Sequence, residues 1–196
     1  MSTYSDQTPE SVWDQLPGGI IVWIAFALEM GTFVLFFFGF VWLTRADPQA
    51  FQASQVMLHP DLGTLNTLIL LSGSWMAARA VRATQHKLSA TKWLIATGIT
   101  GLFFVGIKSY EYIDLFQAGV SLSTNSFWFY YFFLTLLHNL HVLLGVYFLF
   151  YLAWKSPAQG LSEIQIQNIS AAAIYWHLVD LIWIFLFPLI YFTRIW

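Results

Sequence analysis

The sequence predicts an all-α integral membrane bundle of five transmembrane helices, and three observations predict it. The 196 residues are 58% hydrophobic and only 9% charged, against roughly 25% charged in soluble domains. Five apolar runs reach or exceed the ~20 residues that a spanning helix needs. The breaks between them, "TRADPQAF", "RATQHKLSATK", "QAGVSLSTNS" and "KSPAQGLSEIQIQN", are polar or rich in turn formers.

Taken in order, residues 1–17 read as a short acidic solvated tail. It holds Asp6, Glu10 and Asp14 and no Lys or Arg, with a short helix expected over Pro9–Leu16. A secretory leader begins with positive charge and runs quickly into an apolar stretch, so no cleavable signal peptide is expected. Residues 18–196 form a single five-helix domain with spans at about 18–43, 62–81, 93–116, 127–154 and 169–192. Trp13, Trp42, Trp93, Trp128, Trp154 and Trp196 lie near span ends, the ordinary place for interfacial anchors.

Lys and Arg in the short loops give an orientation. With a cytoplasmic N-terminus, the inner loops hold Arg79, Arg82, Lys87, Lys92 and Lys155, and the outer side holds Arg45 and Arg194. The C-terminus is then outside. A net charge of −2 gives no reason to expect a nucleic-acid partner. The chain has no cysteine, which excludes disulfides, iron–sulfur clusters and thiolate metal sites.

Ionisable residues at bilayer depth cost roughly 2.5 to 3.5 kcal/mol each on insertion scales, so every one is a functional candidate. They are Glu29, Lys108, Glu111, Asp114, His138, His141, His177 and Asp180. At ~1.5 Å rise per residue, Glu29, His138, His177 and Asp180 fall near the bilayer midplane. Lys108/Glu111, His138/His141 and His177/Asp180 are i, i+3 pairs sharing a helix face. The first pair can neutralise itself, and the third can form a hydrogen bond or ion pair. Glu29 stands among Leu28, Met30 and Phe33 and should hold its proton unless His138, His141 or His177 approaches from another helix.

Several functions fit this set. A metal centre would use His138, His141 and His177 with Glu29 or Asp180, although bundle sites favour Glu-x-x-His. A haem could take His141 and His177 as axial ligands. A proton path or small proton-coupled transporter would use Glu29 and Asp180, although the repeats and broken helices of many transporters are missing. Interhelical hydrogen bonds that fix packing are the plain structural explanation.

The segments, in their order, resemble subunit III of the haem-copper oxidase superfamily (cytochrome c oxidase subunit 3-like) in its short five-helix form. "ALEMGTFVLFFFGFVW" is similar to the family's helix with a buried Glu, here Glu29. "LGTLNTLILLSGSWMAARA" is similar to its Leu-Asn-Thr helix, here Asn66 and Thr67. "GIKSYEY" matches its Glu-Tyr motif at Glu111 and Tyr112, and "LLHNLHVLLG" its His-x-x-His segment at His138 and His141. "YWHLVDLIWIFLFPLIYF" matches its last helix at Trp176, His177, Asp180 and Trp183. Within the family the short chain looks most like the nitric-oxide-reductase-associated (NorE-type) branch.

The resemblance implies an accessory, non-redox subunit of a terminal oxidase or nitric oxide reductase in a bacterial inner membrane. It implies no cofactor in this chain, with haem and copper or iron held by a catalytic subunit I-type partner. Bound phospholipid and support of proton uptake are implied as well. Glu29, Asn66, Lys108, Glu111, His138, His141, His177 and Asp180 then form a buried polar network with a lipid contact. The two extra N-terminal helices of long family members, which complete a lipid cleft, are absent from this sequence.

Overall fold

The computed structural model describes residues 19–86, 88–156 and 160–193, without the side chain of Ile21. The acidic tail, Lys87, Arg194, Trp13 and Trp196 lie outside the described residues. Within them are six helices and no strand: α1 Gly19–Ala46, α2 Pro48–Gln55, α3 Pro60–Gln85, α4 Thr91–Gln117, α5 Ser126–Lys155 and α6 Glu163–Phe192. Four are long and apolar enough to cross a membrane: α1 from Val22, α4, α5 and α6. The chain is an integral membrane protein. The expected span 62–81 lies inside α3, whose 26 residues reach ~39 Å but are more polar, with Asn66, Ser72, Ser74 and Arg79.

Local chemistry sets the helix ends. "TRADPQAF", expected as a loop, contains the start of α2: the Ala50 N–H donates to Asp47 Oδ1 at 3.2 Å, and Pro48 opens the helix. Helix α6 begins six residues before the expected 169, because Ser162 and Gln165 form a reciprocal capping box. Helix α4 stops in a Schellman turn, with Gly119 at φ +80° and Val120 N–H donating to the Leu115 carbonyl. Asn125 caps α5 through Trp128 N–H and donates from Nδ2 to Ser54 Oγ of α2 at 2.9 Å.

Helices α3, α4, α5 and α6 make the main bundle, and α1 lies against α5 and α6 on its side. At the centre Trp176 of α6 is 1% exposed and fills a notch left by glycines on three helices. A Cβ on Gly101 would come within 2.5 Å of Val146 and 2.7 Å of Trp176, and one on Gly145 within 3.2 Å of Trp176. A Cβ on Gly73 would collide with Thr100 and come near Trp176. Such close backbone approach is the usual way that membrane helices pack.

The interfacial role expected of Trp128 is corrected. It is 1% exposed and packs on Phe127 and Tyr131. Trp42 and Trp154 are 77% and 83% exposed, as surface anchors would be.

Candidate functional site

The polar residues singled out in the sequence do not form one network. They divide into separate contacts, each between particular helices.

The deepest contact is built on α4. Lys108 Nζ lies 2.9 Å from Glu111 Oε2, with side chains 0% and 1% exposed. The ammonium also donates to Tyr131 Oη of α5 at 3.0 Å and to Tyr191 Oη of α6 at 3.1 Å. Its three donors are thereby all used. Tyr191 Oη donates to Glu111 Oε1 at 2.5 Å, so both carboxylate oxygens are engaged. The rings of Tyr131 and Trp183 lie 4.8 and 5.6 Å from Nζ by centroid, near enough for cation–π attraction. A closed charge-and-hydroxyl cluster therefore ties α4, α5 and α6 together. One turn away, Tyr112 donates to Thr135 Oγ1 at 2.8 Å and accepts from Asn139 Nδ2.

The expected direct His177–Asp180 bond is replaced by a bridge. Ser74 of α3 donates to Asp180 Oδ2 at 2.7 Å, and His177 Nδ1 lies 3.1 Å from Ser74 Oγ. Because the hydroxyl proton is spent on Asp180, Nδ1 is the donor in the second bond. Asp180 is buried, whereas His177 is exposed on the outside of α6 and is not part of a buried network. An i, i+3 spacing placed both residues on one face; a short hydroxyl from the facing helix fits between them.

Glu29, also expected to be buried, has a side chain 43% exposed. His141 of α5 approaches it, Nε2 to Oε2, at 3.1 Å, which meets the condition attached to Glu29's expected protonation. His141 Nδ1 faces the Leu137 carbonyl at 2.8 Å and must carry a proton to bond it. A hydrogen bond between Nε2 and the carboxyl group then needs one more proton, on either atom.

His138 of α5 and Asn66 of α3 are buried where these helices meet α4 and α6. His138 stacks on Trp183 at 5.2 Å and meets the edge of Phe104 at 5.4 Å. Asn66 Nδ2 makes a long 3.5 Å contact to the Phe104 carbonyl, and Trp183 Nε1 donates to Thr67 Oγ1 at 3.0 Å. Asp114, at the end of α4, meets His59 across the surface at 3.1 Å.

The metal and haem arrangements need histidines to converge. Here the three imidazoles turn to Trp183, Glu29 and Ser74 in turn, and among the described residues no group of three His, Asp or Glu could hold a metal ion. The residues present do not fit the three-histidine metal centre. Sequence reasoning missed Tyr131, Tyr191 and Ser74. Counting donors signals the tyrosines: a lysine at depth with one carboxylate still needs two acceptors.

A family model for cytochrome c oxidase subunit III matches residues 2–195. The chain belongs to that family. Two relatives are the probable quinol oxidase subunit 3 of Staphylococcus saprophyticus and that of Staphylococcus aureus strain USA300. Each is 28% identical over 172 residues, covering 86% of this chain and 85% of the relative. In this subunit III family member, the Trp-His-x-x-Asp-x-x-Trp helix has four distinct tasks. Trp176 fills the glycine notch, His177 and Asp180 clasp Ser74, and Trp183 binds Thr67 while covering His138.

Proposed function

We propose that the chain is the accessory, non-redox subunit III of a haem-copper terminal oxidase in a bacterial inner membrane. The family match over residues 2–195 carries this reading. The names of the relatives favour a quinol oxidase partner over the nitric-oxide-reductase-associated branch. All five long helices span, because α3 is long enough and is shielded by α4 and α6. The N-terminus is cytoplasmic, the described α3–α4 turn lies inside with Arg82 and Lys92, and residues 18–196 act as one domain. Haem and copper belong to the catalytic subunit I-type partner.

The chain's own contribution is durability and proton supply. The Lys108–Glu111–Tyr131–Tyr191 cluster holds the bundle shape against which the partner packs. Asn66, His138 and the His177–Ser74–Asp180 bridge add interhelical contacts. The half-exposed Glu29–His141 pair serves a phospholipid headgroup or buffers protons beside the catalytic subunit.

Co-purification in mild detergent, with partners identified by mass spectrometry, tests the assembly; recovery without haem-bearing subunits would refute it. Glu29→Gln and Glu29→Ala test the pair. If it serves lipid or packing, Gln behaves as wild type and Ala loses bound lipid or shortens the working life of the complex. If Gln slows proton uptake as much as Ala does, the pair titrates during turnover and the packing role fails.

A further inference from the structure

We propose a second lipid site, far along the chain from Glu29: the α3–α4 turn binds the phosphate of an anionic phospholipid whose acyl chain lies along α4. A hollow of about 830 Å³ opens there, lined by Arg79, Arg82, His86, Lys92 and Trp93 among others. No acidic residue occurs between Asp61 and Glu111. Among the described residues, Arg79, Arg82 and Lys92 make no salt bridge. Three fixed cations therefore face one hollow without an internal counter-charge. The N-cap of α4 beside them is Ala90, leaving only a long 3.4 Å bond from Thr91 N–H to Ser89 Oγ, so the helix dipole adds to the positive field.

The site is shaped as well as charged. Trp75 and Trp93 meet edge to face at 5.7 Å, and the Arg79 guanidinium sits 5.5 and 5.1 Å from their ring centroids. Lys92 Nζ lies 5.3 Å from the Trp93 centroid. Contact with both rings holds Arg79 at the hollow, and a planar guanidinium suits bidentate phosphate recognition.

The adjoining surface decides between a lipid and free phosphate. Ile95 lines the hollow. Beyond it on α4, an apolar groove of about 390 Å³ runs past Ile99, Leu102, Phe103, Gly106 and Ile107. These positions follow i, i+3, i+4, i+7 spacing and so share one helix face. From Ile95 to Ile107 the apolar face of α4 is ~18 Å long, about the ~15 Å depth of one leaflet's hydrocarbon, and the groove takes up its part from Ile99 onward. Gly106 opens its floor, with nothing within 4 Å of where a Cβ would stand. A basic head pocket followed along the same helix face by a leaflet-length apolar stripe is the outline of one anionic phospholipid.

The test uses the full chain, stripped of lipid in mild detergent and titrated with phosphatidylglycerol, phosphatidylcholine and inorganic phosphate. Native mass spectrometry reads the lipids and tryptophan fluorescence reads the phosphate. Phosphatidylglycerol should bind well ahead of phosphatidylcholine. Arg79→Gln with Lys92→Gln should weaken it roughly 30-fold, at about one surface-charge contribution per cation. Lys155→Gln, a cation elsewhere, should leave it unchanged. Gly106→Phe should weaken the lipid and leave inorganic phosphate alone. Arg82→Gln, an exposed single change, should cost roughly fivefold and carries the test if the double variant does not fold. Equal binding of the two lipids, or equal loss from Lys155→Gln, would show diffuse charge and overturn the site. Phosphate binding as tightly as lipid, with no effect of Gly106→Phe, would overturn the lipid assignment.

Discussion

Replacing Lys108 by Met removes three hydrogen bonds at once while nearly keeping side-chain length. Glu111 would retain only Tyr191 as donor, and its charge would stay buried, on a side chain only 1% exposed. Breaking one partner of a buried ion pair costs about 3–5 kcal/mol, chiefly through the stranded charge. Glu111→Gln strands the ammonium instead and should cost a similar amount. The double change, Lys108→Met with Glu111→Gln, removes both charges and leaves an amide that Tyr191 can still reach. It should cost under about 2 kcal/mol, far below the sum of the singles. The assay is the fraction of monodisperse protein left after graded heating in detergent. At the size of this chain, the single changes should lower the midpoint by roughly 10 °C. If Lys108→Met matched wild type, or if the double change equalled the sum of the singles, the pair would not be the coupled crosslink described.

Ser74→Ala should lower stability by about 1–3 kcal/mol, since it strands the buried Asp180 carboxyl; Asp180→Asn should cost less, and the same heating assay compares them. Gly101→Leu should abolish accumulation of folded chain in membranes, because the side chain enters the volume of Val146 and Trp176. Gly106→Ala, which meets open space, should accumulate normally. Trp128→Ala should cost about 3–5 kcal/mol as a large-to-small core change, whereas Trp154→Ala at the surface should stay within about 0.5 kcal/mol; equal losses would place Trp128 at the interface after all.

Helix existence was legible because apolar run length dominates everything else in such a chain. The ends were less so, because the Ser162 cap starts α6 before its apolar run and the Asp47 cap starts α2 in a polar segment, where hydropathy carries no signal. The i, i+3 spacing foretold the Lys108–Glu111 contact because both members lie on one helix. It failed for His177 and Asp180 because the bridging atom comes from Ser74, 103 residues before His177. Glu29 and His141 are 112 residues apart. Their meeting depends on how α1 leans on α5, which no local pattern encodes.

Helix α1 has fully buried side chains only at Phe33, Phe40 and Thr44 among those described. Its far end is clamped: Phe40 meets Phe51, Phe127 and Tyr130, while Gln55 of α2 donates to the Ile190 carbonyl of α6. Toward Gly19 the helix instead borders a groove of about 510 Å³ walled by Val22, Phe26, Phe148 and Tyr175. Helix α1 is therefore held unevenly along its length: aromatic packing fixes the Phe40 end, while toward Gly19 it meets the bundle through the Phe26–Tyr175 ring contact at 5.8 Å and the Glu29–His141 contact, with the groove bordering that ring pair.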